Sequence, residues 1–305
     1  MSESSDALGA PSTQRVRPKV LYVMGAGRSG STILGVALGN CRDVFFAGEL
    51  DRWLDRGGVP REGAERIAFW EPIRESVTSR VAVPATKTTY LERSTALLDI
   101  RKLRTWRALR PAYRRASEEL YCAIARAAAA THLVDTSHYP RRAREMQALA
   151  GIDLYLLFLV RDPRSVVASL GRSDVRERRF GIVAANAYLW LTHLLAVPVF
   201  LRHPRERRMF VRYEDLIARP EAVLAEILAR FDSTASTPDL DRLDTGVPFH
   251  GNRLIGSETV ALDARAVGGA GRAPVTRLLQ LPWAVLLRHL RPALRGRPSP
   301  RGHDG

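Results

Sequence analysis

Along the chain, short and wholly apolar runs alternate with longer stretches of helical periodicity. Short apolar runs bounded by turn residues predict strands that are buried on both faces of a sheet. Five such runs predict strands at residues 20–24, 44–47, 132–134, 154–160 and 208–212. Apolar residues that recur every three or four positions predict helices at residues 30–39, 116–130, 141–149, 163–170, 183–196 and 221–231.

The order of these elements predicts the fold class. Parallel strands need crossover connections, and alternating strands and helices give a mostly parallel sheet with helices on both faces. We therefore expect a three-layer α/β fold with a central, mostly parallel sheet. Ligands of such folds bind at the carboxyl ends of the strands. The polar residues expected at that edge, because they follow the apolar runs, are Arg28, Glu49, Asp135, Arg161 and Tyr213.

The chain has 305 residues, enough for one large α/β domain, which we place at residues 18–290. Residues 1–17 are polar and contain proline, which predicts a disordered leader without a signal-peptide core. Residues 52–115, called here the cover segment, carry prolines, glycines and a basic cluster but no clear strand. We expect the cover segment to lie over the substrate site. The arginine-, proline- and glycine-rich residues 291–305 predict a flexible basic tail.

The charge balance indicates anionic partners. The chain carries 47 basic and 32 acidic residues, a net charge of +15, and nearly all of the basic residues are arginines. No aromatic–basic recognition motif or zinc-binding spacing occurs in the sequence, so we do not expect a nucleic-acid ligand. From residue 265 to residue 303 there are eight arginines and no acidic residue. Such basic segments predict a weak association with membrane surfaces.

Cysteine usage and hydropathy bear on the compartment. Cys41 and Cys122 cannot form a disulfide framework and lack metal-binding spacing, so we expect a reducing, cytoplasmic location and no metal. The longest apolar stretch, residues 187–201, is shorter than the ~20 residues that a membrane span needs. We expect a buried helix there. Residues 278–290 predict a short terminal helix with Trp283 as its packing anchor.

A glycine-rich turn follows the first predicted strand, and three interpretations compete for it. Strand, glycine loop and helix together present backbone N–H groups and a positive helix end to a phosphate. Gly25, Gly27 and Gly30 match the dinucleotide-binding fingerprint. Glu49 lies 19 residues after Gly30, where that fingerprint needs a ribose-binding acid. The same loop fits most of a P-loop, but Ser31 stands where the P-loop lysine belongs.

The third interpretation rests on the polar content of residues 28–32. This segment combines one arginine, one glycine and three hydroxyl-bearing residues. This composition suits a terminal phosphate that carries a sulfuryl group. The arginine supplies a cation, the glycine permits close approach, and the hydroxyl groups can donate hydrogen bonds to the anion. We favour this interpretation over the dinucleotide and P-loop ones, although the loop alone does not decide between them.

A second polar cluster follows the fourth predicted strand. Asp162 can cap the next helix and Pro163 suits its first turn, which places Arg161 at the end of the strand. Ser169 lies about two turns along that helix. An arginine and a hydroxyl group in this arrangement predict a second anion site at the same sheet edge. Two separate anion sites indicate a nucleotide that is phosphorylated at two positions.

Four segments resemble, in order and spacing, the sulfotransferase family that uses 3′-phosphoadenosine 5′-phosphosulfate (PAPS). Residues 27–32 look like the 5′-phosphosulfate loop of that family, and residues 161–169 look like its 3′-phosphate segment. Residues 211–216 resemble its tyrosine–glutamate–aspartate segment at a strand end. Residues 250–253 resemble the histidine–glycine–asparagine segment of its bacterial members. The resemblance covers residues 18–260.

This resemblance implies a P-loop-like fold, PAPS as donor, adenosine 3′,5′-bisphosphate as product, a hydroxyl- or amine-bearing acceptor, and no metal. Many relatives carry Asp-Lys-Ser after the third strand, where this chain has Asp135-Thr136-Ser137 and therefore lacks a cation. The cover segment shows no acceptor signature. The residues expected to bind the donor are Gly27, Arg28, Ser29, Gly30, Ser31, Thr32, Arg161, Ser169, Tyr213, Asn252 and Arg253.

Arg28 and Glu49 are the expected catalytic residues. Sulfuryl transfer, like phosphoryl transfer, depends on positioning and on stabilising charge at the leaving group, which Arg28 would supply. A hydroxyl acceptor needs a base, and Glu49 is the first choice because branches of the family place a glutamate soon after the second strand. His138 is the alternative base, and an ion pair with Arg52 is the structural alternative for Glu49. The competing functions are a nucleotide kinase, an oxidoreductase and a non-catalytic nucleotide-binding protein.

Overall fold

A computed structural model describes residues 17–83, 88–93, 96–97, 99–171, 181–262 and 274–295. All five predicted strands are present, each at its predicted place. They are β1 (Lys19–Gly25), β2 (Val44–Gly48), β3 (His132–His138), β4 (Asp153–Val160) and β5 (Arg208–Arg212). They form one sheet in the order β2-β3-β1-β4-β5, and every neighbouring pair is parallel. The predicted α/β fold with a parallel central sheet is confirmed.

Helices connect these strands and cover both faces of the sheet. Two short strands, β6 (Leu243–Asp244) and β7 (Thr259–Val260), form a separate antiparallel pair. The helices are α1 (Ser31–Gly39), α2 (Asp51–Asp55), α3 (Ala64–Thr78), α4 (Thr89–Glu92), α5 (Ile100–Ala127), α6 (Pro140–Met146), α7 (Pro163–Leu170), α8 (Ile182–Arg202), α9 (Tyr213–Ala218), α10 (Pro220–Arg230), α11 (Pro274–Leu279) and α12 (Leu281–Arg295).

Successive side chains of the central strand β1 enter two different cores, as the two-residue period of a strand requires. Val20, Tyr22 and Met24 pack on one face with residues of α5, α6 and α8. Leu21 and Val23 pack on the other face with residues of α1, α9 and α10. Burial on both faces explains why the central strands read as continuous apolar runs. The three-layer arrangement is therefore helix, sheet, helix.

The cover segment is more regular than its composition predicts. It contains α2, α3, α4 and the first half of α5, which starts 16 residues before the predicted helix at 116–130. The side chain of Asp99 caps α5 by accepting hydrogen bonds from the backbone N–H groups of Arg101 and Lys102. Pro111 lies inside α5 and does not end it. The rings of Trp106 and Tyr113, which lie on either side of Pro111 in the sequence, pack together with their centroids 4.9 Å apart.

α8 is also longer than predicted. It spans 21 residues, runs through Pro198, and is long and apolar enough to cross a membrane by length and composition. One face of α8 is nevertheless buried against the sheet and other helices, for example at Leu189, His193 and Phe200. The predicted buried helix is therefore buried along one face, while 39% of its most apolar window is buried in all.

The C-terminal region also departs from its prediction in extent. The predicted helix at 278–290 is present as α11 and α12, and α12 continues to Arg295, into the residues predicted as tail. Trp283 is buried, and its ring stacks on His193 of α8 at a centroid distance of 4.6 Å. The rest of the predicted tail, residues 296–305, and the predicted leader up to residue 16 lie outside the described residues.

Asp135 lies inside β3 and not after it, because β3 runs on to His138. Its carboxylate is fully buried and accepts hydrogen bonds from Tyr121 Oη at 2.6 Å and from Arg142 Nη2 at 3.3 Å. Arg142 Nη1 also donates to Tyr113 Oη at 2.5 Å, and Tyr113 Oη donates to Glu92 Oε1 at 2.6 Å. This buried charge network ties β3 to α4, α5 and α6. It gives the Asp135 carboxylate the hydrogen-bond partners that a buried charge needs.

Candidate active site

The loop between β1 and α1 lies at the carboxyl edge of the sheet. Arg28 and Gly30 adopt left-handed backbone conformations, with φ of 73° and 95°. A Cβ atom on Gly30 would lie 2.3 Å from the Tyr213 ring, so only glycine fits there. Among the described residues no side chain caps the start of α1 at Gly30. The N–H groups of the first turn of α1 are therefore available to an anion.

Arg28 joins the two predicted anion sites. Its Nε donates a hydrogen bond to Ser169 Oγ on α7 at 3.0 Å. Arg161 Nη1 donates to the backbone carbonyl of Arg28 at 3.3 Å. The Arg161 guanidinium lies over the Tyr213 ring, 4.4 Å from its centroid. The structure thus brings together four residues that the sequence places after three different strands.

Ser29 and Gly27 complete this loop. Ser29 is buried, and its Oγ has no hydrogen-bond partner among the described residues. The backbone N–H of Gly27 donates to Tyr188 Oη of α8 at 2.9 Å. Tyr188 was not a predicted site residue, and nothing in its surroundings along the sequence marks it. A buried hydroxyl that lacks a partner beside uncapped helix amides is the arrangement that a bound anion would satisfy.

The 250–253 segment lies against the same loop. A Cβ atom on Gly251 would lie 3.4 Å from the Thr32 methyl group, which fixes how closely the segment approaches α1. The side chain of Asn252 accepts a hydrogen bond from the backbone N–H of Leu254 at 2.8 Å and caps the single helical turn Arg253–Gly256. Asn252 therefore shapes this turn, and Arg253 begins it.

Glu49 follows β2 and faces His250. Its Oε2 lies 3.8 Å from His250 Nε2, and its backbone N–H donates to the His250 carbonyl at 2.8 Å. Gly48, with a φ of 80°, permits this approach because its Cβ would lie 2.3 Å from the same carbonyl. Arg56 Nη1 lies 3.3 Å from His250 Nδ1. Since arginine can only donate, Nδ1 is the acceptor and Nε2 carries the proton that faces Glu49.

The alternative ion pair between Glu49 and Arg52 does not form as a direct contact among the described residues. Arg52 Nε lies instead 3.4 Å from Oδ2 of the buried Asp51. His250 was not a predicted partner of Glu49, although it begins the histidine–glycine–asparagine segment at residues 250–253. That segment was the signal that could have found it.

Electrostatics gives Glu49 the properties of a base near neutral pH. Burial and the Asp51 carboxylate raise the pKa of Glu49 to about 7, against the opposing charges of Arg52 and Arg28. Burial, together with the nearby charges of Arg56 and Arg52, lowers the pKa of His250 to about 3. His250 is therefore neutral, and Glu49 changes its charge in the range where a general base works best.

His138, the alternative base, also lies at this edge. It ends β3 with a left-handed φ of 58°, and its Nδ1 lies 3.4 Å from the Thr136 carbonyl. A Cβ atom on Gly27 would lie 3.7 Å from His138 Nε2. His138 therefore borders the loop after β1, and the charge of Arg28 on that loop reaches the Glu49 carboxylate.

The Asp135-Thr136-Ser137 segment connects the end of β3 to α2, beside the site. Ser137 Oγ accepts a hydrogen bond from the Asp51 N–H at 3.0 Å and donates to the Asp135 carboxylate. Thr136, where many relatives carry lysine, is fully buried, and its Oγ1 has no partner among the described residues. This segment is structural, and it couples β3 to α2. The described residues contain no group of three histidine, cysteine or acidic side chains that could hold a metal.

Comparisons with known proteins agree with this fold. The sulfotransferase domain from the curacin biosynthetic pathway is 16% identical, with a TM-score of 0.52 over 88% of this chain and 98% of that domain. The sulfotransferase domain of the Synechococcus PCC 7002 olefin synthase is 17% identical, with a TM-score of 0.50 over 89% of this chain and 96% of that domain. At these identities the likeness shows the fold alone, which is the P-loop-like fold.

Sequence comparison identifies the family. A search of curated protein sequences finds no significant match. A family model described as the sulfotransferase family matches residues 19–236, which run from β1 past the end of α10. The match includes the loop after β1, Glu49, and the Arg161–Ser169 segment. The chain belongs to the sulfotransferase family.

Proposed function

We propose that this protein transfers the sulfuryl group of PAPS to a hydroxyl group of an acceptor. The observation that carries the proposal is the hydrogen bond from Arg28 Nε to Ser169 Oγ at 3.0 Å. This bond joins the two anion-binding segments into one surface at the carboxyl edge of the sheet. Glu49, the candidate base, borders the same surface, so donor and acceptor would meet there.

The residues of the loop fit the phosphosulfate end of the donor. Gly27 and Gly30 allow close backbone approach, the first turn of α1 offers N–H groups, and the buried Ser29 hydroxyl lacks a partner. Arg161 and Ser169 would hold the 3′-phosphate. The Tyr213 ring would position the Arg161 guanidinium through a cation–π contact.

PAPS supplies an activated sulfuryl group, whose sulfur forms a bond to the acceptor oxygen while its bond to the 5′-phosphate oxygen breaks. Arg28 and the loop amides would stabilise the negative charge that grows on the leaving phosphate. Glu49 would take the proton of the acceptor hydroxyl group, with the neutral His250 ring 3.8 Å from its carboxylate. Positioning and charge stabilisation account for this chemistry, as they do for phosphoryl transfer.

The strand order disfavours the dinucleotide interpretation of the loop. In a dinucleotide-binding fold the acid that binds the ribose ends the strand beside β1. Here β3 separates β1 from β2, so Glu49 follows a strand that lies two positions, or about 9–10 Å, from β1.

The kinase interpretation is disfavoured by the residue in the lysine position of the P-loop. Ser31, which replaces the P-loop lysine, is the first residue of α1 and has no reach toward an outer phosphate.

Calorimetric titration tests the donor. We expect adenosine 3′,5′-bisphosphate to bind at least tenfold more tightly than 5′-AMP, because the second phosphate adds a charge-assisted contact to Arg161. Equal affinities would exclude the two-phosphate site, and tight NADH binding would restore the oxidoreductase. Incubation with PAPS and a panel of hydroxyl-bearing acceptors, read by mass shift, tests the transfer. Bisphosphate binding without any PAPS consumption would indicate a non-catalytic nucleotide-binding protein.

A further inference from the structure

The C-terminal helices and the start of α8 expose an apolar surface that the proposed transfer does not use. Its residues are between 39% and 73% exposed. Isolated exposed apolar side chains are ordinary, but a group of them on neighbouring helices marks an interaction site. We call this group the C-terminal apolar surface, and it consists of Val183, Val275, Leu278, Leu279, Leu281 and Val285.

Specific hydrogen bonds hold these helices together, so the surface is a fixed part of the fold. Gln280 Nε2 donates to Asn186 Oδ1 at 2.8 Å, and Asn186 Nδ2 lies 3.4 Å from Thr276 Oγ1. All three side chains are buried. Trp190 Nε1 donates to the Leu279 carbonyl at 3.1 Å. These contacts place α11 along the first half of α8, where Val183 is exposed.

The same region carries basic charge without acidic counter-charge. Residues 274–295 contain four arginines and no aspartate or glutamate. Arg277 and Arg288 are exposed, and neither has a carboxylate oxygen within ion-pair distance among the described residues. An outward apolar face bordered by arginines is the composition of a helix that lies in a membrane interface. Anionic lipid headgroups would complement the arginines, and acyl chains would accept the leucines.

We propose that the C-terminal apolar surface docks on a bilayer that contains anionic lipids. A second copy of the chain is a poorer occupant, because a two-fold contact would bring two acid-free sets of arginines together. The chain as a whole repels itself as well, with its net charge of +15. The leucines and the arginines supply the two attractions that stable peripheral binding needs.

Docking in this way would place the bilayer against the start of α8, the helix that contacts the candidate site through Tyr188. Tyr188, which accepts the hydrogen bond from Gly27, lies five residues after Val183 on α8. At 1.5 Å per residue this is about 7–8 Å along the helix. Membrane binding and sulfuryl transfer are nevertheless independent, since vesicle binding needs neither donor nor acceptor.

Vesicle flotation of the full chain tests the docking. We expect the wild-type chain to float with vesicles of phosphatidylglycerol and phosphatidylcholine, and not with phosphatidylcholine alone. The combined Leu278→Ser, Leu281→Ser and Val285→Ser variant should bind the anionic vesicles about tenfold or more weakly. Val59→Ser is the matched control, because Val59 is an exposed valine of the cover segment and should leave binding unchanged.

Arginine variants test the charge contribution in the same assay. Arg288→Gln should weaken binding to anionic vesicles about fivefold, which corresponds to the ~1 kcal/mol expected for one arginine near an anionic surface. Arg42→Gln is the control, since Arg42 is an exposed arginine that follows α1. Binding of the wild-type chain should fall as salt is raised, because screening shortens the reach of these charges.

Several outcomes would overturn the proposal. The proposal is wrong if the wild-type chain does not bind vesicles, or binds both vesicle types equally well. It is also wrong if the triple variant binds anionic vesicles as tightly as the wild-type chain. A dimer seen by light scattering, which the triple variant dissolves, would show that a second copy covers the surface instead. Thermal melting of each variant confirms that it is folded, and the substituted side chains are all exposed.

Discussion

Glu49 Oε2 lies 3.8 Å from His250 Nε2, although the two residues come from distant parts of the sequence. Arg56 donates a hydrogen bond to Nδ1 of His250, so the proton of the ring is on Nε2 and faces the carboxylate. The backbone N–H of Glu49 donates to the His250 carbonyl as well. His250 therefore contacts Glu49 twice, through a main-chain hydrogen bond and through an imidazole ring that faces the carboxylate.

The first prediction concerns the pH dependence of turnover. If Glu49 is the base, kcat/KM should rise with pH and level off above about 7, because burial beside Asp51 raises the pKa of Glu49 to about 7 and only the ionised form accepts a proton. Glu49→Gln should lower turnover about 10²–10⁴-fold and abolish this limb of the profile. Affinity for adenosine 3′,5′-bisphosphate, measured by calorimetry, should stay close to wild type.

His138→Gln is the matched comparison, because His138 borders the same loop. It should lower turnover far less than Glu49→Gln and leave the rising limb in place. The opposite ranking of the two variants would make His138 the base. A loss of bisphosphate affinity in Glu49→Gln would instead indicate that Glu49 holds the nucleotide.

The second prediction separates the two arginines of the anion surface. Arg161→Ala should weaken bisphosphate binding about 10- to 100-fold, the loss of one charge-assisted contact to a phosphate. Arg28→Ala should lower turnover more than affinity, since Arg28 would meet the charge that develops on the leaving group. Calorimetry and steady-state kinetics on the same preparations give both quantities.

Arg164→Ala serves as control for both changes. Arg164 belongs to the same segment, but its guanidinium is paired with Asp162 at 2.7 Å and its side chain is 42% exposed. We expect near-wild-type affinity and turnover for it. Because Arg161 donates to the Arg28 carbonyl, the double variant should deviate from the sum of the single effects. Unchanged bisphosphate affinity in Arg161→Ala would refute the 3′-phosphate site.

The third prediction concerns the close contact of Gly30 with Tyr213. Gly30→Ala adds a Cβ atom 2.3 Å from the ring at a φ of 95°, so it should destabilise the fold and disrupt bisphosphate binding. Gly57→Ala is the control, because Gly57 also has a positive φ but nothing within 4 Å of an added Cβ. Backbone strain alone should cost Gly57→Ala about 1–2 kcal/mol of unfolding free energy.

Urea unfolding of the two variants then isolates the steric contribution. Gly30→Ala should lose clearly more stability than Gly57→Ala, and adding Tyr213→Ala should recover part of the difference. Equal losses in the two glycine variants would mean that the Tyr213 ring moves aside at little cost.

The fourth prediction concerns Glu92 in the buried charge network. One arginine, Arg142, serves the two buried carboxyl groups of Asp135 and Glu92, at 3.3 Å and 3.9 Å. Burial is the main cause that raises the pKa of Glu92 to about 8. An unfolded glutamate ionises near pH 4.5, whereas the folded one keeps its proton up to about 8. Folding therefore takes up a proton in this window, and the stability present below it is lost as pH rises through it.

Glu92→Gln keeps a neutral side chain at all pH values and should flatten that decline, which amounts to ~1.4 kcal/mol per pH unit for one proton. Urea unfolding at about pH 5 and about pH 8 measures it. Glu75→Gln, at an exposed position of α3, should leave the wild-type pH dependence unchanged. A wild-type slope in Glu92→Gln would mean that Glu92 is ionised in the folded protein.

Much of the fold was predictable because it depends on local pattern. The five strands are continuous apolar runs that lie between two layers of helices, and they occur where the sequence predicts them. The glycine loop was equally readable, since Gly25 and Gly30 adopt backbone conformations, with φ of 146° and 95°, that other residues resist. Local signals failed where tertiary packing overrides them, as at Pro111, which α5 contains in its interior.

The sequence by itself determined the strands, the anion-binding loop and the charge of the chain, since each follows from neighbouring residues. Only the tertiary structure decided the strand order, which puts β3 between β1 and β2 and so separates Glu49 from the strand before the loop. It also decided which side chains meet, as Glu49 does with His250, Arg28 with Ser169, and Asp135 with Arg142. These contacts join residues from separate parts of the chain, and no local pattern records which strands and helices become neighbours.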